Sequence, residues 1–504
     1  MDKQYAKDFL KKYITVIGGP AAVDALDDEN KGGKAKEFVK KYFTVVGGPE
    51  AIDAAAEPEG KYLTMTLPKG SPTTQISIIK GGDDPVGINI QYRINYGKWI
   101  DWDFTSSQAI SANANDVIQW KGNNPTGLSH DTDNDYVYFE IPNEVHLSGN
   151  VMSLIDGVGD TKVIPCEYCF CYLFEDTKIK TVSEDFLPAT TLAVDCYGGM
   201  FTGCSALVNA PELPATTLAD SCYYEMFKGC TSLVNAPELP AITLAGWCYA
   251  DMFEGCTSLV SAPELPSNSL DKNCYQYMFK GCTALVNAPE LPATTLVNEC
   301  YSSMFSSCSS LVNAPELPAT TLAGKCYRYM FNGCTSLVNA PALPATTLVD
   351  SCYKQMFKGC TSLITAPALP ATTIAGNCYS YMFNECSSLV NAPDLPATTL
   401  VGWCYDGMFE GCTSLTTAPA LSATTLAEGC YFSMFSGCSK LQHVTCLATD
   451  ISAYYCTNSW LKNVASAGTF VKASGFDGWS TGTSGIPSGW TIDDYVQPAN
   501  ELVE

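Results

Sequence analysis

One interval governs what this chain can fold into. Ten cysteines from Cys196 to Cys430 follow one another at steps of 26 residues, and ten more, from Cys204 to Cys438, trail them by eight. Around each pair stands nearly the same phrase, which at Cys222 reads CYYEMFKGCTSLVNAPELPATTLA, and it recurs ten times without insertion or deletion. A gapless period of this length leaves few architectures open. Each unit is too small to bury a face alone, so successive units must stack, and equivalent residues then form columns along the stack.

A count of 25 cysteines invites a disulfide-rich secreted scaffold. The amino-terminal MDKQYAKDFLKKYITVIGGPAAVDAL, with Asp2, Asp8, Lys11 and Lys12 set among its apolar residues, does not read as a secretory signal. An unbroken column of equivalent cysteines also gives no reason for particular pairs. The expectation is reduced, buried cysteine packing as a small hydrophobe, with cross-rung disulfides as the alternative. Cys166, Cys169 and Cys171, with His146 upstream, offer one C-x-x-C spacing where zinc sites favour two, and IPCEYCFCYLF reads instead as a degenerate first rung. Asp131, Asp133 and Asp135 alternate as in a calcium loop but lack its glycine and closing glutamate. No metal or cofactor is expected.

If Cys222 to Cys230 is a short helix, positions i, i+1, i+4, i+5 and i+8 gather Cys222, Tyr223, Met226, Phe227 and Cys230 on one inward face. Tyr224, Glu225 and Lys228 then point out. Across the ten repeats the inward columns barely change, while the outward ones vary. The outward slots carry Tyr224, Trp247, Tyr277, Tyr329, Tyr381, Trp403 and Phe432, a candidate binding face. Tyr277, Tyr329 and Tyr381 share one slot on every second rung, about 10 Å apart at the spacing of paired strands.

The rest of the chain divides into three parts. Over 1–58, FLKKYITVIGGPAAVDAL recurs after 29 residues as FVKKYFTVVGGPEAIDAA, with 12 of 18 positions identical. Each copy reads as two short helices around a Gly-Gly-Pro break, and Phe9, Tyr13, Phe38 and Tyr42 are candidate docking or oligomerisation residues. Over 59–162, segments such as TQISIIK, GINIQYRINY and DYVYFEIP alternate at period two and predict an all-β, sandwich-like domain with Trp99, Trp102 and Trp120 in its core and rim. The repeats occupy 163–466, with Cys456, Trp460 and Leu461 in a modified last rung. Residues 467–504, with Trp479 and Trp490, read as a carboxy-terminal cap.

The phrase CYYEMFKGCTSLVNAPELPATTLA, with the closing AGTFVKAS and GTSGIPSGW, resembles the leucine-rich repeats of the BspA-like family, found in Bacteroidetes surface proteins and their phages. The resemblance covers residues 166 to 490. It implies a right-handed solenoid of strand and short helix per rung, used in attachment to proteins or glycans.

Catalysis is not expected. The three histidines, His130, His146 and His443, stand in no nucleophile motif, and no phosphate-binding loop occurs. A net charge of −24 and a pI near 4.4 disfavour nucleic acid and anionic membranes. The expected role is a non-enzymatic virion component, a head or tail fibre. Residues 1–58 would hold it to the particle or to sister subunits, and the repeats would meet a host surface protein or glycan. A bacterial surface adhesin and an intracellular scaffold are the alternatives.

Overall fold

The computed structural model describes residues 61–497, apart from 82–86, 106–107 and 132–135. The tandem repeats of 1–58, with Phe9, Tyr13, Phe38 and Tyr42, lie outside the described residues, as does most of the Asp131–Asp135 loop. Residues Lys61–Asn95 and those from Trp99 onward belong to one compact unit.

The period-two segments form strands whose side chains alternate between core and solvent, as in β1 (Leu63–Thr66) and β2 (Thr74–Gly81). They continue as β3 (Ile90–Ile94), β4 (Ile100–Asp101), β5 (Ile110–Ala112), β6 (Val117–Gly122), β7 (Tyr136–Glu140), β8 (Val145–Ser148) and β9 (Ile179–Val182). Six of them make one sheet in the order β4-β3-β6-β1-β8-β9, and β5-β2-β7 make a second. The sheets meet through aromatic rings: Trp120 on β6 lies 5.1 Å from Phe139 on β7 and 5.5 Å from Trp102. Trp102 also donates its indole N–H to the Ile78 carbonyl at 3.0 Å. Trp102 and Trp120 are buried and Trp99 is half-buried, core and rim in turn.

Strand β9 joins the two parts of the chain. It pairs in parallel with β8 of the sheet, and its Lys180 carbonyl accepts the Val208 N–H of the next rung at 3.0 Å. The all-β part therefore closes one end of the repeat stack. The degenerate rung before β9 is set by Cys169, since Phe170 stacks on Tyr197 and Phe174 on Phe201 at an offset of 27.

Beyond it the rungs repeat in register. Asn209, Asn235, Ser261, Asn287, Asn313 and Asn339 bridge in parallel, each to the equivalent residue of the next rung, and the column runs on to His443. Inside, Tyr197 to Tyr431 form a ladder of stacked rings with centroids 5.7–6.1 Å apart. Phe201 to Phe435 form another at 5.6–5.8 Å. These separations are those of offset aromatic stacks.

The expected short helix in each rung is absent. Among the described residues the one α-helix, α1 (Ser153–Asp156), precedes the repeats, and a 3-10 turn at Glu184–Phe186 follows β9 in the degenerate first rung without recurring in later rungs. From Ser221 to Cys230 the chain instead runs through linked turns. The N–H groups of Cys222, Tyr224, Met226, Lys228 and Cys230 each reach the carbonyl three residues back. Those of Ser221, Tyr223, Glu225, Phe227 and Gly229 cross to the next rung, for example Phe227 to Met252 at 3.0 Å. A helix would spend every N–H within itself, whereas this arrangement commits half of them to the neighbour, so backbone as well as side chains ties rung to rung.

The turns need a positive φ every fourth residue. At Ser221, Glu225 and Gly229 the values are 53°, 54° and 72°. The left-handed region costs a non-glycine residue about 1–2 kcal/mol. Burying the Tyr, Met, Phe and Leu of the same rung returns about 1.5–3 kcal/mol each, so burial outweighs the backbone cost. The grouping read from the helix survives on this different backbone: Cys222, Tyr223, Met226, Phe227 and Cys230 are buried, and Tyr224, Glu225 and Lys228 are partly exposed.

All 25 cysteines are free thiols. The two ladders are not equivalent. In the second, Cys256 Sγ donates to the Phe227 carbonyl at 3.1 Å, and the pattern repeats from Cys204 to Cys438 at 3.0–3.2 Å. That carbonyl also accepts the Cys230 N–H, so the thiol takes its second lone pair. Burial pushes the Cys256 thiol up to about 12, far from a reactive thiolate.

At the far end Trp460 lies under Tyr431 with centroids 6.2 Å apart, and Trp479 stacks on Trp460 at 5.4 Å. Strands β10 (His443–Cys446), β11 (Gly468–Lys472) and β12 (Trp490–Asp494) form a parallel sheet that continues the bridge column.

Candidate recognition face

The turn ladder presents two kinds of outward slot. In one the residue has positive φ, and Trp247, Tyr277, Tyr329, Tyr381 and Trp403 stand there with φ of 54–59°. The other follows the buried tyrosine and holds Tyr224 and Phe432. Trp247, at 36% exposure, is the most open of these aromatics, and the rest are half-buried.

The structure brings some of them together. Tyr224 meets Trp247 edge-on at 6.5 Å, and Trp403 lies 5.7 Å from Phe432. Phe432 leads on to Tyr455 at 6.1 Å, which touches Tyr454, giving a four-ring run toward the cap. Tyr454 and Tyr455 were missed in the sequence because the last rung departs from the repeated phrase. Tyr455 nonetheless keeps the 26-residue step from the Gly429 slot, and that was the available signal. Tyr277, Tyr329 and Tyr381 make no ring contact with one another.

Neighbours treat the three tyrosines differently. Lys280 Nζ sits 4.8 Å from the Tyr277 ring centre, and the Arg328 guanidinium sits 4.6 Å from that of Tyr329 while donating to its hydroxyl at 3.3 Å. Tyr381 instead lies along the stack over Gly407, where an added Cβ would come within 2.3 Å of the ring. Trp403 lies likewise over Gly429. In both places the glycine one rung on makes room for the ring.

Charges on the face follow the same split. Lys228 bridges Glu225 and Glu254 at 2.7 and 3.0 Å, Lys280 holds Glu254 at 2.7 Å, and Lys325 holds Glu299 at 3.2 Å. Glu254 thus takes two lysines. Burial pushes its carboxyl up, but Lys280, Asp251 and Lys228 outweigh that and hold it below the usual range. Asp251 beside it is 7% exposed. Burial first, then the hydrogen bond and charge of Glu254, push Asp251 up to about 8, so it carries a proton at neutral pH.

Around Tyr381 no such pairing occurs among the described residues. Lys358, Tyr381, Asn384, Glu385, Glu410 and Ser436 line a pocket of about 330 Å³. Burial raises Asp406 next to it to about 6, although hydrogen bonds from Ser380 and Tyr381 pull it back. Burial also raises Tyr381, to about 12, with the Asp406 charge adding to it.

One apolar feature escaped the sequence reading. Val208, Val234, Val260, Val286, Val312, Ile364 and Val390 form an exposed row beside the bridge column. The recurring Leu-Val-Asn, with leucine inward, placed the valine outward by strand alternation. No group of three or more His, Cys, Asp or Glu that could hold a metal occurs among the described residues. No helix among them is long and apolar enough to cross a membrane.

Stacked rungs with a constant leucine-bearing phrase and a variable outward face define a leucine-rich-repeat protein. The family profile of the BspA type leucine-rich repeat region, in 6 copies, matches residues 196–338, 323–433 and 379–473, and the chain belongs to that family. No curated protein matches it. Among solved structures, one described as the crystal structure of a TLR13-ssRNA13 complex is 13% identical, with a TM-score of 0.22 over 58% of this chain and 46% of that one. The chain spans less than half of that protein, and a likeness at this level carries no argument.

Proposed function

We propose that the chain is a non-enzymatic attachment protein whose rungs form a leucine-rich-repeat solenoid displaying a recognition face. The observation that carries this reading is the division within each rung. Inward Cys, Tyr, Met and Phe columns repeat with little change, while the slots that face outward vary and hold Tyr224, Trp247, Tyr277, Tyr329, Tyr381, Trp403 and Phe432. Aromatic residues on a rigid scaffold are common energetic centres of binding surfaces. Buried thiols, and carboxylates held in ion pairs or against burial, favour display over chemistry.

The finer reading places the protein on a phage particle as a head or tail fibre. Residues 1–58, with Phe9, Tyr13, Phe38 and Tyr42, would grip the virion or sister subunits. The near-identity of the two tandem copies supports docking onto equivalent sites, since two linked weak contacts act with high effective concentration. Membership of the BspA-type family favours a second placement, on a bacterial surface. Immunogold imaging of purified particles and of intact cells separates them: label on particles supports the first, label confined to cells the second. For the recognition face, the triple change Tyr277→Ala, Tyr329→Ala and Tyr381→Ala is expected to reduce attachment to host cells, and unchanged attachment would refute it.

A further inference from the structure

The Tyr381 slot differs from its two equivalents in a way that points to a ligand. At Tyr277 and Tyr329 the chain's own Lys280 and Arg328 cover the ring, and nearby carboxylates are consumed in ion pairs of 2.7–3.2 Å. At Tyr381 no cation among the described residues lies over the ring. Among the described residues, Lys358, Lys462, Glu385, Asp406 and Glu410 form no ion pair, although Lys358 and Lys462 are close enough to act on Glu410 and Lys354 on Asp406. The lining sets Lys358 beside Glu385 and Glu410, with Asp406, Lys354 and Lys462 near enough to act on them, so groups of both signs stand together without a closed ion pair.

Asn384 adds an independent observation. It lines the pocket at 4% exposure. Its Nδ2 donates to the backbone carbonyl and the carboxylate of Glu410, both at 3.3 Å, which fixes the amide orientation and leaves Oδ1 without a partner. That oxygen is closed to solvent, so Asn384 serves the pocket by holding Glu410 at its wall. Tyr381, laid flat over Gly407, supplies an apolar ring beside these groups.

A cationic ligand would meet Lys358 and an anionic one Glu385 and Glu410. A neutral ring that carries hydroxyls around its edge and C–H groups on its face matches the whole set. We infer that the pocket between Tyr381 and Glu410 binds a neutral sugar residue, stacked on Tyr381 and hydrogen-bonded by Glu385, Glu410 and Lys358. This rests on the recognition function proposed above and gives it a ligand class and a place.

The test is saturation-transfer NMR on the full chain with D-glucose, D-galactose, D-mannose, N-acetyl-D-glucosamine and L-fucose, followed by titration calorimetry on oligomers of whichever sugar responds. Sialyllactose and a lysine-rich peptide serve as the acidic and basic comparisons. At least one neutral sugar should receive saturation. Tyr381→Ala should weaken it about tenfold, Tyr381→Phe should retain it, and Val234→Ala, on the exposed row away from the pocket, should leave it unchanged. Circular dichroism on each variant establishes that it is folded. Transfer to no neutral sugar, transfer that persists in Tyr381→Ala, or binding of only the acidic or basic probe would each overturn the assignment. Attachment to cells without sugar binding would overturn it while leaving the attachment reading standing; loss of both would remove both.

Discussion

The protonated Asp251 makes the stability of the stack depend on pH in a calculable direction. Its carboxyl sits at about 8 in the folded chain against an ordinary 3.8, facing Glu225, Glu254 and Lys228. The folded state therefore binds the proton more tightly than the unfolded state, and stability falls as pH rises. The contribution is fully present below about pH 4 and is lost progressively until pH passes about 8. A gap of about four units corresponds to an effect on the order of 5 kcal/mol, an upper limit because the chain can relax around the charge. Asp251→Asn keeps the shape and a hydrogen-bond donor toward Glu254 while removing the titration. Urea unfolding of both proteins at pH 5, 7 and 9 isolates this group, because the other raised carboxyls, Glu175, Asp195, Asp406 and Glu410, titrate in both. The Asn variant should gain on the parent as pH rises and exceed it by at least about 2 kcal/mol at pH 9. A difference between the two that stays constant from pH 5 to 9 would refute the reasoning.

Other perturbations test other layers. Tyr353→Phe deletes a buried hydroxyl that has no partner, so stability should hold or rise by up to about 1 kcal/mol in urea unfolding, against a loss of about 3–5 for Tyr353→Ala. Phe305→Ala breaks a ladder whose neighbouring rings lie 5.7 and 5.8 Å away and should cost about 3–5 kcal/mol, with hydrogen-exchange protection lost in both adjacent rungs. Gly255→Ala, at φ 73°, should cost about 1 kcal/mol although its Cβ would meet nothing closer than 3.8 Å, and an unchanged melting curve would count against the turn geometry. In native thiol labelling the half-buried Cys166 should react first, with the ladders reacting only in denaturant.

How far the sequence could be read depended on which periodicities are ambiguous. Grouping at i, i+1, i+4, i+5 and i+8 fits a helix of 3.6 residues per turn, and it fits equally a turn ladder that repeats every four. Cys222, Tyr223, Met226, Phe227 and Cys230 were therefore placed inward correctly on the wrong backbone. The glycine before the second cysteine, as at Gly229, Gly255 and Gly281, was the discriminating signal, since each adopts positive φ. Asn273 and Asn377, residues that tolerate the left-handed region, repeat the hint one slot before the first cysteine. The aromatic slots were legible because they vary against a constant frame. What covers each ring was not, because it depends on single residues elsewhere: Lys280 three positions on for Tyr277, Gly407 one rung on for Tyr381. The alternating strands of the all-β part were plain. Its fusion to the stack through β9 was hidden in a rung that departs from the 26-residue step.

Because every second N–H in the turn ladder bonds to a carbonyl 25 residues ahead, each rung offers its successor the same surface that its predecessor offered it. A gene segment encoding 26 residues can be lost or duplicated by recombination between near-identical copies, and the polypeptide on either side will still find its register. Such an exchange moves the sugar pocket along the axis by one rung relative to the all-β end without altering the pocket itself. Reach becomes a matter of copy number, open to change by a single recombination event and separate from the chemistry the face displays.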